Sequence, residues 1–306
     1  MHVDNTRVFQ LDRESPGMRY YQNAVDRHWN PAAIDLEADS KRLVAHLESS
    51  DEPAQLLDAL RMNVARFGAG EQAVTQDLAP LAIALENIDD QMFVTTQLYE
   101  EAKHTDFFDR YWREVIHPTE AELGYQRSSP TDPDWFNDAY DELFERNEAA
   151  MMALLEDHSP ESFANAYCHY HLTIEGILAQ TGYYGMQTSF SEEKHPELPS
   201  LPGLCAGFQK IRQDEGRHVG FGMTKLKELV RSGDVDPGFL NDTVTALMPL
   251  VNGITADEDE AYSAEVGPTP DELREYASAK HVERMSQITD AAAEIPDVDT
   301  LTELDN

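Results

Sequence analysis

The stretch QLYEEAKHTDFF, residues 97–108, places Glu101 three residues before His104 among apolar neighbours. A helix turns 100° per residue, so these two side chains share a face and can offer an oxygen and a nitrogen to one metal ion. Spacing alone is weak. Of the 11 histidines, four have glutamate at i−3: the pairs are Glu101/His104, Glu114/His117, Glu192/His195 and Glu215/His218. About one such pair is expected by chance in so glutamate-rich a chain. His117 and His195 each precede a proline, Pro118 and Pro196, where a helix is expected to end. Glu114 also lies roughly 220° around the helix from Glu101 and faces away from it.

The remaining pairs share more than spacing. EEAKH at 100–104 and DEGRH at 214–218 both read acidic, glutamate, small, basic, histidine, which makes an internal repeat. Each lies deep in a helical pattern, and each is preceded by another helix with a lone carboxylate in an apolar setting. These are Glu71 in FGAGEQAV and Glu175 in HLTIEGIL. The separations, 30 residues from Glu71 to Glu101 and 40 from Glu175 to Glu215, suit two antiparallel helix pairs with a longer second connection. The proline-rich break SEEKHPELPSLPG, 191–203, supplies that length. Four buried carboxylates without cations would be very costly, and two divalent metals would neutralise them. Asp214 reads either as surface charge or as an acceptor for the far nitrogen of His104, fixing its tautomer across the site.

Around this constellation the chain is helical throughout. Apolar residues recur at three and four, with helices expected at 34–49, 52–88, 89–116, 133–157, 160–191, 201–232, 237–257 and 270–291. Alternating β-branched runs are missing, so the expected fold class is all-α, one domain over 1–306 with its core at about 25–292. The ends, 1–17 and 293–306, are expected to be flexible.

The chain has 306 residues and carries 58 Asp and Glu against 23 Lys and Arg, a net charge of −35 spread along its length. Nucleic acid and anionic membranes are therefore not expected as partners. Concentrated salt, with a Debye length of ~3 Å at 1 M, would relieve the self-repulsion, and a halophilic source is expected. Two cysteines in no CxxC pair, no signal-peptide pattern and no apolar run of membrane length point to a soluble cytoplasmic protein.

The metal pattern resembles the ferritin-like carboxylate dimetal proteins, and more closely the ribonucleotide reductase small-subunit superfamily. RHWNPAAIDLEAD (27–39), FGAGEQAVTQDLAPL (67–81), EEAKHTDFF (100–108) and QDEGRH (213–218) carry the likeness, which covers about residues 25–235. Within it the chain is most similar to the ligand-binding oxidases. That resemblance implies a ferritin-like bundle and one manganese and one iron held by Glu71, Glu101, His104, Glu175, Glu215 and His218, with a di-iron pair as the alternative filling. Glu101 and Glu215 would bridge or shift.

The resemblance further implies reaction with O2, a long-chain fatty acid bound beside the metals, a homodimer, an unidentified electron donor, and an ether bond between a valine and a tyrosine. The valine, three residues after the first metal glutamate, is Val74, and the tyrosine, five before the third, is Tyr170. On a regular helix Tyr170 lies roughly 140° away from the face of Glu175, and a π-bulge between them would bring it round. For each residue alone, core packing is an alternative. The Met-, Phe- and Tyr-rich faces of 160–191 and 201–232 are expected to line the fatty-acid pocket.

The other reading within the superfamily is a manganese/iron reductase small subunit. Radical-storing subunits have tyrosine four residues after the first metal histidine, where Phe108 stands, although manganese/iron subunits also place phenylalanine there. Nothing after Tyr276 is aromatic, whereas reductase subunits relay a radical through a tail tyrosine. Trp29 matches a tryptophan that lies on the reductase radical path; packing against a metal helix is its other reading. Gly216 departs from good helix formers at a cost of about 1 kcal/mol, which close helix contact would explain.

Overall fold

A computed structural model describes residues 10–191, 194–255 and 267–303, and among these every regular element is helical. In chain order they are α1 (Pro16–Asp26), α2 (Glu37–Leu47), α3 (Pro53–Asp77), α4 (Ala79–Ala84), α5 (Ile88–Tyr111), α6 (His117–Leu123), α7 (Asp138–Ala153), α8 (Pro160–Tyr167), α9 (Gln180–Phe190), α10 (Pro202–Ser232), α11 (Pro237–Thr255), α12 (Pro270–Thr289) and α13 (Val298–Leu301). A π segment at Trp112–Ile116 joins α5 to α6, and another at Cys168–Ala179 joins α8 to α9. The architecture is an all-α, ferritin-like bundle.

Local chemistry sets most boundaries. Ser15, Asn87, Asn137 and Ser159 cap α1, α5, α7 and α8 by accepting from first-turn amides, and Thr269 with Glu272 forms a capping box on α12. Gly233, at φ 81°, ends α10 in the left-handed conformation.

Several expectations are corrected. The helix expected over 52–88 breaks at Leu78, because Pro80, which has no amide hydrogen, opens α4. The helix carrying Glu101 does not end at His117. The His117 amide bonds to Trp112 O, five residues back, and Pro118 then falls in the first turn of α6, where no amide hydrogen is required. Helix α1 includes Pro16 and Gly17, which lie in the stretch read as flexible.

The segment Val298–Leu301, also in a stretch read as flexible, is helical and packs on α10, with Leu301 buried. Gly216 is the reason it fits. A Cβ there would lie 2.4 Å from Thr302 Cγ2 and 2.7 Å from Val298 O. Gly216→Ala should gain about 1 kcal/mol of helix propensity yet displace this segment, since backbone oxygen cannot move aside cheaply. Limited proteolysis should show new cleavage within 293–303. A segment as resistant as in the parent protein would disprove the packing role.

Two apolar clusters make the core. One contains Val74, Phe93, Ile174, Val219 and Phe221, the other Val64, Phe107, Phe108, Tyr183 and Ile211. Each metal-site helix passes from one cluster to the other along its length, with its carboxylate between residues of the two. Glu71 lies between Val64 and Val74, His104 between Phe93 and Phe107, Glu175 between Ile174 and Tyr183, and Glu215 between Ile211 and Val219. The polar site is thus enclosed by packing on both sides.

Candidate metal centre

Helix α3 supplies Glu71, α5 supplies Glu101 and His104, the π segment supplies Glu175, and α10 supplies Glu215 and His218. None of the six is more than 7% exposed. Nδ1 of His104 lies 3.2 Å from Glu71 Oε2, 3.3 Å from Glu101 Oε2 and 3.5 Å from Glu215 Oε1. Nδ1 of His218 lies 3.1 Å from Glu101 Oε1, 3.1 Å from Glu175 Oε1 and 3.4 Å from Glu215 Oε2. Two clusters result, Glu71–Glu101–His104–Glu215 and Glu101–Glu175–Glu215–His218, each with ligand atoms within 4.8 Å of one another. Glu101 and Glu215 belong to both.

The electrostatics are those of a site short of positive charge. Burial, reinforced by Glu101 and Glu215 and opposed by His104, pushes Glu71 up to about 8. Burial likewise raises Glu175 well above the carboxylate range, and it raises Glu215. Glu101 behaves oppositely: burial opposes its ionisation, but His218 and His104 outweigh burial and hold it well below the usual range. Both imidazoles are raised well above their ordinary value, since the surrounding carboxylates overcome burial. Glu175 Oε2 and Glu215 Oε2 are buried without a hydrogen-bond donor. Oxygen and imidazole donors without thiolate suit manganese and iron, and cations at this point would satisfy the orphaned oxygens.

The far nitrogens are held reciprocally. His104 Nε2 lies 3.1 Å from Asp214 Oδ2, and His218 Nε2 lies 2.9 Å from Glu100 Oε2. The acidic residue of each repeat therefore serves the histidine of the other. Basic residues complete the crossing: Lys103 donates to Asp214 Oδ2 at 3.0 Å, and Arg217 pairs with both Asp214 and Glu100. Trp29 Nε1 donates to Asp214 Oδ2 at 2.7 Å, and its ring stacks on His104 at 6.2 Å. Trp29 is thus both packed and hydrogen-bonded. The sequence reading missed Glu100, Lys103 and Arg217, although the acidic and basic positions of the repeat carried the signal.

Tyr170 is fully buried and donates to Glu101 Oε1 at 2.7 Å. The π segment makes this contact accessible, since its wider turn brings residues five apart, Tyr170 and Glu175, onto one side. Gln97 Nε2 lies 3.3 Å from the same hydroxyl, and the Tyr183 hydroxyl lies 3.4 Å from Glu215 Oε1; neither was singled out from sequence. Val74, 4% exposed, lines a cavity of about 200 Å³ with Glu71, Glu101, Glu175 and Glu215. Phe108 packs against Phe67, ring centroids 5.5 Å apart.

The two pairs set aside from sequence stay apart from this centre. Glu114 pairs with Arg110 at 2.9 Å, and His117 meets Ser128 O at 3.2 Å. His195 meets Glu197 at 2.7 Å, and Glu192 lies outside the described residues. Among the described helices none is long and apolar enough to cross a membrane.

No protein-family model matches the chain. Solved structures do. A Glu-to-Asp variant of an R2-like ligand-binding oxidase with an aerobically reconstituted Mn/Fe cofactor is 30% identical, with a TM-score of 0.75 over 91% of this chain and 95% of that one. A Val-to-Ile variant, also reconstituted aerobically, gives 0.73 at 30% identity over 91% and 95%. A Gly-to-Phe variant with an anaerobically reconstituted Mn/Fe cofactor gives 0.72, again at 30% identity over 91% and 95%. A likeness that reaches this identity over nine-tenths of the chain, on a bundle that brings the two repeats together, settles the kinship: the chain belongs to the R2-like ligand-binding oxidases, oxidoreductases with a dimetal cofactor.

Proposed function

We propose that this chain is an O2-activating oxidase whose manganese and iron are held by Glu71, Glu101 and His104 on one side and by Glu175, Glu215 and His218 on the other. Glu101 and Glu215, common to both clusters, are the bridging candidates. When bound, the metal pair supplies the redox chemistry by which dioxygen is reduced. The protein's own part is to keep that chemistry dry and to present a substrate bond to it. We assign that bond to the Val74 side chain, with the Tyr170 oxygen as its coupling partner in a Val–Tyr ether. The observation that carries the assignment is the Tyr170 hydroxyl 2.7 Å from Glu101, a carboxylate that lines the same cavity as Val74.

The cavity is the proposed seat of a long-chain fatty acid. Its walls are mainly apolar, with Phe67, Phe144, Ile174 and Leu178 leading from the carboxylates to half-buried Pro270 and Leu273. The lining differs from the sequence expectation: α3, α7, the π segment and α9 build most of it, and from 201–232 only Glu215 contributes. An apolar stripe does not reveal which of its residues border a void, and most of α10's large side chains fill the core instead.

Protein matured with manganese, iron and air should lose the mass of one hydrogen pair and yield a linked Val74–Tyr170 peptide, while Val74→Ala matured identically should keep its full mass. Organic extraction should release a fatty acid from the purified protein. Unchanged mass after maturation with both metals present would reject the ether. Nucleotide reduction on adding a reductase large subunit would favour the small-subunit reading, which Phe108 alone leaves open.

A further inference from the structure

Gln97 on α5 is fully buried and touches three functional groups. Its Nε2 lies 3.3 Å from the Tyr170 hydroxyl and 3.1 Å from Glu175 Oε1, while its Oε1 lies 3.4 Å from His171 Nε2. The direction of the amide decides which way the Tyr170 proton points, because an amide has one donating and one accepting end.

His171 supplies the direction. It is fully buried, its ring packs edge-on against Tyr170 at 4.7 Å, and a Cβ on Gly222 would fall 2.3 Å from its own Cβ, so the side chain packs directly on the backbone of α10. Its Nδ1 has no hydrogen-bond partner among the described residues, and burial keeps the imidazole neutral. A neutral ring carries one N–H, and among the described residues the partner is at Nε2, so Nε2–H donates to Gln97 Oε1. The Gln97 NH2 then faces Tyr170 and Glu175. The reversed amide would set its oxygen 3.1 Å from Glu175 Oε1, acceptor against acceptor. With its oxygen already accepting from Gln97, Tyr170 spends its own proton on Glu101 Oε1 at 2.7 Å. The other repeat has no such device, since the position four before Glu215 is Ile211.

We propose that Gln97, turned by His171, is a positioning residue that makes Tyr170 a hydrogen-bond donor to Glu101, so that the hydroxyl is held in one orientation as the ether to Val74 forms. The inference rests on the cross-link reading above. Closing the bond between Val74 Cβ and the tyrosine oxygen breaks one C–H and one O–H bond. The two electrons and the two protons released pass to dioxygen, reducing it to the level of hydrogen peroxide, while Glu101 keeps only its hydrogen-bonding role.

Two variants, Gln97→Leu and His171→Leu, test it with two readouts. The first is the Tyr170 C–O stretch in the metal-free protein, taken as the infrared difference from Tyr170→Phe. It should report a hydroxyl that both donates and accepts in the parent, a donor only in Gln97→Leu, and a split band in His171→Leu as the amide takes both directions. The second is the rate of ether formation on maturation with manganese, iron and air, which should fall about tenfold or more in Gln97→Leu. An unmoved band in Gln97→Leu, or a moved band with an undiminished rate, overturns the proposal. If the parent protein forms no ether while the band still shifts, the cross-link reading has failed and the hydrogen-bond direction stands.

Discussion

Replacing Arg217 by methionine is expected to cost about 3–5 kcal/mol of folding stability and to weaken both metal positions together. Arg217 is fully buried, pairs with Asp214 and with Glu100, and donates to Gln213 O at 2.9 Å. Removing one partner of a buried ionic network leaves the others uncompensated, which is the costly case. Its partners are the two acids that orient the two histidines, one from each repeat. Loss of such support lowers metal affinity by about 10–100-fold, and here one substitution reaches both halves. Asp214→Asn should instead weaken chiefly the His104 half. Arg217→Lys, which copies Lys103 of the other repeat, should fall between, because a lysine cannot span both acids as a guanidinium does. Denaturant unfolding and metal counting of each variant check this. A stable Arg217→Met protein with two tightly held metals would refute it.

That same network explains what could be read in advance. Four of the six inward residues were legible because glutamate and histidine at i and i+3 on a helix have a defined geometry and the two repeats match in five consecutive positions, and Glu71 and Glu175 because each is a lone carboxylate in an apolar setting on the preceding helix. Asp214 was legible for the same reason, as the residue preceding a metal glutamate. Glu100 occupies the identical place in the first repeat, yet its partner is His218, across the bundle; the crossing is a property of how α5 and α10 sit together, and no spacing encodes it. Gln97 was hidden more deeply. A lone glutamine one turn before Glu101 reads as helix surface, and only its neighbours from the π segment give it a role. The π segment at Cys168–Ala179 announced itself through Tyr170, which a regular helix would have turned away from Glu175. The one at Trp112–Ile116 had no such marker, and Pro118 read as a stop.

Glu71→Gln should make the metal-free protein more stable at neutral pH and the metal-loaded protein less stable. In the folded chain Glu71 is pushed up to about 8, against 4.5 for an ordinary glutamate, chiefly by burial. Folding therefore favours its protonated form. The stabilisation is complete below pH 4.5 and is lost as the pH rises to about 8. At pH 7 the loss is a little over about 3 kcal/mol, at about 1.36 kcal/mol for each pH unit crossed above 4.5. Glutamine has nearly the same shape and does not titrate, so the variant should gain about 1–3 kcal/mol over the parent at pH 7 and nothing at pH 4. Taking the difference between variant and parent cancels most of the titration of the other groups.

Metal reverses the order. Cations bind the ionised carboxylate and stabilise the fold by mass action, and an amide oxygen is the poorer ligand. Melting curves of both proteins between pH 4 and 8, with a chelator and then with manganese and iron, should therefore cross. Equal or lower stability of Glu71→Gln in chelator at pH 7 would mean that Glu71 bears no burial cost. In that case cation binding would not be what relieves the strain in this cluster.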